Sequence, residues 1–313
     1  MHIFKNETRI DFLGYRRRAF LISAVLLLIS AAALGLSGLN YGLDFTGGTI
    51  IELGYEQPPE LAQVRKTLAN NGYENAVVQY FGSSADVLVR LPPTAGEAAS
   101  KLSNQLLEVL RSDNSGVAMR RVEFVGPQVG DELKEKGGLA MIWALVGILV
   151  YVAFRFEYRF ALGAVAAIVH NVVITLGVFA LTGLTFDLTV LAALLAVIGY
   201  SLNDTIVVFD RVRENFVRVR KGGPAEIMNR SVNQMLARTI VTSGTTLVVV
   251  LALLVLGGET IAGFATALVV GVLVGTYSSV FVAGALVLAM GVSKEDLVPP
   301  EKEGEEAEDE ERP

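Results

Sequence analysis

Long unbroken apolar runs alternate along this chain with shorter polar stretches. Six runs stand out, near residues 19–36, 139–154, 160–181, 188–209, 240–256 and 264–290. A helix needs about 20 apolar residues to cross roughly 30 Å of hydrocarbon. The second and fifth runs are at the short end, and the sixth is long enough to tilt or to pass the interface. The pattern therefore predicts six transmembrane helices. Residues 40–138, between the first two runs, carry a different rhythm. Residues 49–53 read as a strand, and 59–71 as a helix through Leu61, Val64 and Leu68. Residues 75–81 and 86–91 read as a hairpin around Gly82, Ser83 and Ser84. A second amphipathic helix over 97–110 runs through Leu102, Leu106, Leu107 and Leu110, and 119–125 is a last strand. The order β-α-β-β-α-β is that of a ferredoxin-like split unit.

The expected fold is thus an α-helical polytopic membrane protein with one extracytoplasmic ferredoxin-like α+β domain. Its expected parts are an N-terminal segment (1–18), a first span (19–39), the folded domain (40–138), a five-helix membrane region (139–292) and a tail (293–313). Ile227, Met228, Val232, Met235 and Leu236 give residues 225–237 one apolar side, so a separate helix near 224–237 is expected to lie at the cytoplasmic surface against lipid head groups.

Composition agrees with the membrane reading: 52% of the 313 residues are hydrophobic, and the mean hydropathy is +0.50. The net charge of −6 comes from the tail, where residues 294–313 hold ten acids against three bases. The remainder is near neutral, so no surface for nucleic acid is implied. The tail reads as disordered. Lys and Arg set the orientation. Lys5, Arg9, Arg16, Arg17 and Arg18 precede the first span, Arg155 and Arg159 follow the second, and Arg211, Arg213, Arg218, Arg220, Lys221 and Arg230 follow the fourth. The short loops around 182–187 and 257–262 have no Lys or Arg. Six spans then put every basic loop and both termini in the cytoplasm. Cleavage of the first run as a signal peptide is the alternative, and the long polar segment before it argues against that.

Chemistry concentrates in the fourth run, where Ser201, Leu202, Asn203 and Asp204 interrupt the apolar sequence. An Asp at the centre of a span costs about 2.5–3.5 kcal/mol on insertion scales and normally faces a bundle interior or a wet cavity. Val197, Tyr200, Ser201, Val207, Val208 and Arg211 lie on roughly its face. Arg238, at the entrance of the fifth run, is the candidate basic partner. Burial favours the neutral acid and a nearby Arg the charged one, so the two effects together can place a proton on and off. The plainer reading is a static pair that fixes helix packing, with Arg238 snorkelling to the interface. His170, beside Asn171 in the third run, is either a proton relay or a neutral hydrogen-bonding link. Asp210, Arg211, Arg213, Glu214 and Asn215 form either a cytoplasmic gate or a solvated helix end. Gly271 and Gly275 read as a packing pair. The Gly-rich residues 42–48, with Asp44, Gly47 and Gly48, read as a sharp exit into the folded domain, and Gly126 and Pro127 as the matching return. No cysteine is present, and the two histidines cannot by themselves make a zinc site. No phosphate-binding loop, nucleophile–base pair or cofactor motif occurs, so neither an enzyme nor a nucleotide, metal or other cofactor is expected.

Three stretches together, Gly42-Leu43-Asp44-Phe45-Thr46-Gly47-Gly48, Val125-Gly126-Pro127-Gln128-Val129-Gly130 and the long fourth-run motif from Ile198 to Asn215, resemble the SecF family of bacterial protein-export membrane proteins. The likeness runs in order from the first span to about Met290. It implies a six-span subunit paired with SecD in an assembly of the resistance–nodulation–division type. Such an assembly assists the SecYEG translocon and uses the proton-motive force to complete export of unfolded preproteins after SecA has acted. The family's fourth-span Asp falls on Asp204 and its fifth-span Arg on Arg238; Ser201, Asn203 and His170 are, on their own chemistry, candidate relay or supporting polar residues. A carboxylate from SecD completes the proposed proton route. Where many relatives are expected to have His-Asp in the third span, this chain has His170-Asn171, which points to a position outside that route. The alternatives are half of a proton-driven efflux transporter for small or lipidic solutes, against which the small outer domain argues, and a non-transporting translocon scaffold.

Overall fold

A computed structural model of the protein describes residues 8–93, 99–114, 116–219 and 222–293. The acidic tail from residue 294 lies outside the described residues. Among the described residues, six helices are long and apolar enough to span a membrane: Leu13–Leu36, Pro127–Arg155, Tyr158–Thr182, Leu188–Arg218, Pro224–Leu256 and Glu259–Ala289. In chain order the elements are α1 (Arg16–Leu36), β1 (Asn40–Tyr41), the one-turn α2 (Leu43–Thr46), β2 (Gly48–Tyr55), α3 (Leu61–Asn70), β3 (Val77–Phe81), β4 (Ser83–Leu91), α4 (Ala99–Asp113) and β5 (Val117–Val125). They continue as α5 (Pro127–Arg155), α6 (Tyr158–Thr182), β6 (Thr185–Phe186), α7 (Leu188–Arg218), α8 (Pro224–Leu256) and α9 (Glu259–Ser278), which passes through a π-helical stretch (Ser279–Gly284) into α10 (Ala285–Ala289).

Within the bundle α6, α7 and α9 are the inner helices, while α1, α5 and α8 are mostly outward-facing. Trp143, Phe154, Val248 and Leu256 stand exposed on the outer helices, as side chains facing lipid do. Small residues let the inner helices meet. A Cβ on Gly271 would fall within 3 Å of the Val197 side chain on α7, and one on Gly275 would sit 3.3 Å from Ser201 Cβ. Without a hydrophobic force between helices in lipid, such close approach is the main source of their attraction.

Two boundaries differ from the sequence expectation. The second span begins at Pro127, about a dozen residues before its apolar run, and is 29 residues long. Proline suits the first helical turn, and a Glu132–Lys136 pair four residues apart supports the polar start. The helix expected by itself over 224–237 is the first part of the 33-residue α8, continuous with the fifth span. Nothing between Ala237 and Ile240 breaks a helix.

The soluble domain is a four-stranded sheet in the order β3-β4-β2-β5, with every neighbouring pair antiparallel. The first strand of each β-α-β unit is thus flanked by strands of the other unit, the interleaving expected of a split βαβ arrangement. Ile51, Leu53, Tyr55, Val87 and Val89 face Val64 and Leu68 of α3 and Leu106 and Leu110 of α4 in its core. Tyr55 is buried there, and its hydroxyl has no hydrogen-bond partner. Burial, with the nearby Asp113 charge, pushes its ionisation up to about 12 from 10. The raised value means that stability is fully present below pH 10 and is lost as pH rises toward 12, because the unfolded phenol ionises first. Thermal melting between pH 9 and 11 should therefore fall more steeply in the wild type than in Tyr55→Phe, which also removes an unpaired buried hydroxyl. Parallel pH profiles in the two proteins would contradict this.

Candidate functional site at the membrane core

Asp204 lies midway along α7 and is 4% exposed. Its neighbours differ from the expected Arg. Ser243 of α8 reaches Asp204 Oδ2 at 3.4 Å, and the same hydroxyl lies 2.8 Å from Thr276 Oγ1 of α9. Tyr200, one turn earlier on α7, approaches it at 3.5 Å. Ser243 is therefore the meeting point of three helices. Thr276 in turn donates to the Val272 carbonyl at 2.7 Å.

A serine hydroxyl has one proton to donate. With Asp204 ionised, Ser243 donates to the carboxylate, and Thr276 can complete the cluster only by turning its own proton from Val272 to Ser243. With Asp204 protonated, the carboxyl donates to Ser243, Ser243 to Thr276, and Thr276 to Val272. The charge state of one carboxylate thus sets the direction of the Ser243–Thr276 hydrogen bond, and the chain runs on to the α9 backbone at Val272 when Asp204 is protonated.

Arg238 is exposed on α8, five residues before Ser243, and no ion pair joins it to Asp204. Direct pairing of the two is therefore replaced in this structure by the Ser243 contact. Asn203 is also exposed, because the next residue along a helix turns about 100° away from the face of Asp204.

A second polar track lies beside the first. His170 Nδ1 is 3.1 Å from Asn171 Oδ1, and Asn171 Nδ2 donates to Ser201 Oγ at 2.7 Å. The His170 ring stacks on Tyr277, whose hydroxyl donates to the Ala19 carbonyl and lies 3.0 Å from Ser23 Oγ of α1. His170 Nε2 is buried without a hydrogen-bond partner. Asn171 is thus the hydrogen-bonding link between α6 and α7. At the far end of α7, Arg211 donates to Gln234, and Asn215 to Ser231 and Gln234, so this end of the helix is fixed to α8. Arg155 pairs with Asp210 at 2.7 Å on the surface. At the other end Asp44 meets Leu188, Gly47 backs onto Pro127, and Gly126 is the N-cap of α5. Ser243 and Thr276 escaped the sequence reading. The signal available was the polar stretch Thr242 to Thr246 inside an apolar run.

Residues 105–293 match the family described as protein export membrane protein SecD/SecF, C-terminal, and residues 32–59 match the SecD/SecF GG motif. The chain is 53% identical to the protein translocase subunit SecF of Vibrio alginolyticus, over 99% of both chains. The chain belongs to the SecF family. The corresponding subunit of Pseudomonas aeruginosa is 51% identical, over 93% of this chain and 95% of that one. Among solved structures, the crystal structure of SecDF, a translocon-associated membrane protein from Thermus thermophilus, is 39% identical with a TM-score of 0.83. The match covers 92% of this chain and 39% of that one, so this SecF family member spans about two-fifths of the SecDF chain. SecDF in its super-membrane-facing form gives a TM-score of 0.69 at 40% identity. The family and the six spans together make this a multi-pass inner-membrane protein of the Sec pathway, with an association with SecD supported by the same likeness.

Asn171→Ala should leave both Ser201 and His170 Nδ1 unpartnered. The expected loss is about 1–2 kcal/mol of stability, read as a lower melting temperature in detergent. An unchanged melting temperature would show that the α6–α7 link carries no weight.

Proposed function

We propose that this chain is the proton-coupled half of an accessory complex with SecD, which promotes late steps of preprotein export through SecYEG across the inner membrane. The observation that carries the reading is Asp204, a carboxylate buried at the centre of a span whose one hydrogen bond among the described residues is a loose hydroxyl contact at 3.4 Å. A group so placed is held in neither charge state by a strong partner. Proton binding reverses the Ser243–Thr276 chain and changes how α7 sits against α8 and α9. The exposed Arg238 and Asn203 face outward, where a SecD carboxylate can complete the route.

The orientation in this reading has both termini in the cytoplasm and residues 40–138 outside, as the basic loops favour. Movement between the two six-helix halves then reaches the soluble domain, which holds or pulls the emerging unfolded chain. One charge crossing the membrane gains about 2.3 kcal/mol per 100 mV, so repeated cycles are required. This is work by conformational change, and no enzymatic step, nucleotide or metal enters it.

Export of a secretory preprotein in cells whose only copy is Asp204→Asn tests the reading, with membrane level and SecD pull-down measured alongside. Precursor should accumulate while the complex stays intact. Normal export would assign Asp204 to packing and favour the scaffold alternative.

A further inference from the structure

The start of α7 and the soluble domain are fastened to one segment, residues 42–48. Asn40 and Tyr41 pair in parallel with Thr185 and Phe186, which immediately precede α7. The Gly42 N–H donates to the Phe186 carbonyl at 2.7 Å, and a Cβ on Gly42 would fall 2.9 Å from that of Asp187. Asp44 Oδ2 accepts from the N–H of Leu188, the first residue of α7, at 2.9 Å. The helix's own N-cap, Asp187, accepts from Val190 at 2.9 Å. Two carboxylates therefore complete an N-terminus whose unpaired N–H groups and dipole favour negative charge. Phe45, buried, stacks on Phe186 at 5.7 Å.

The same segment is gripped by the soluble domain. Arg90 on β4 donates to Thr46 Oγ1 within it at 2.5 Å and to the carbonyl of Tyr41, just before it, at 2.8 Å. Gly47, at φ +67°, backs onto Pro127, and Gly48, at φ +122°, onto the Leu91 carbonyl, leaving no room for a side chain at either. A Cβ on Gly130 of α5 would lie 3.0 Å from both Gly47 N and Phe45 O. The exit from the first span, the return into the second and the start of the fourth thus form one tight knot.

We propose that Asp44 is a positioning residue that ties the start of α7 to the soluble domain, so that movement of α7 is delivered to the domain through residues 42–48. The proposal rests on the proton-coupled reading of Asp204, which lies about 24 Å along the same helix. Asp44 touches no transported proton. Its role is to keep the joint closed while the helix moves.

The absence of cysteine allows a direct test. Asn40 and Thr185 are register partners and both exposed, and neighbouring strands lie about 4.8 Å apart, within reach of a disulfide. The full chain is reconstituted with SecD and the translocon. The quantity read is the fold-stimulation of preprotein export by a proton gradient, at matched levels of intact complex, which a merely structural role would not move. Asp44→Ala should lower the stimulation about fivefold, the equivalent of one lost helix cap. Asp44→Asn, which keeps the acceptor, should stay near the wild type. An oxidised Asn40→Cys/Thr185→Cys bridge should restore Asp44→Ala and leave the otherwise wild-type chain active. Full stimulation in Asp44→Ala, no rescue by the bridge, or a wild-type chain blocked by the bridge would each overturn the proposal. If Asp44→Ala does not accumulate, the bridged form of that variant is compared with its reduced form on the same readout. Asp204→Asn run in parallel separates the two ideas: stimulation that persists there defeats the proton reading, whereas the Asp44 and bridge variants judge the joint.

Discussion

A carboxylate held in hydrocarbon is the constraint around which this bundle is organised. Asp204 is buried at 4% exposure, so the helices around it must supply polar contact or surrender stability. They supply it sparingly, with one serine at hydrogen-bonding limit and a threonine behind it. A strong ion pair would have fixed one charge state. A cluster of hydroxyls, each able to donate or accept, tolerates both. The close packing of α7 with α9 at Gly271 and Gly275 brings that cluster together, because bulkier residues there would hold α9 away from Val197 and Ser201.

The sequence made the outline of this arrangement legible, and physical reasons explain where it did not. Asp204 stands out because a charge in an apolar run has no cheap explanation. The strand and helix order of the soluble domain follows from alternation and from leucine spacing, and the sheet has the strand order that this implies. Ser243 and Thr276 were invisible because hydroxyls are common in spans and usually bond their own helix backbone, as Thr242, Thr245 and Thr246 do. The sequence leaves Arg238 between pairing with Asp204 and snorkelling to the interface, and its side chain is exposed, a choice no spacing rule encodes. The early start of α5 and the continuity of α8 across residues 237–240 are not legible in hydropathy, which marks where lipid begins, whereas a helix ends only where its backbone pattern breaks. Gly42 to Gly48 announced a sharp turn, but its contact with residues some 140 positions later is a property of the fold.

Helix α7 links these features mechanically. Its N-terminus is capped by Asp44 and Asp187, its middle carries Asp204, and its last turns are fixed to α8 through Arg211 and Asn215. The 31-residue helix is thus tied at both ends, with Asp204 between the two fixed points. The second track through His170, Asn171 and Ser201 braces it against α6, and Tyr277 extends that brace to α1.

The claim that Asp204 changes charge state during work is tested most directly by infrared difference spectroscopy. The full chain would be reconstituted with SecD, and spectra compared before and after a pH gradient is imposed. A carboxylic-acid carbonyl band that rises with the gradient in the wild type and is missing in Asp204→Asn is the predicted result. A band that persists unchanged in Asp204→Asn, or a wild-type spectrum with no carboxylic-acid change, would contradict the account.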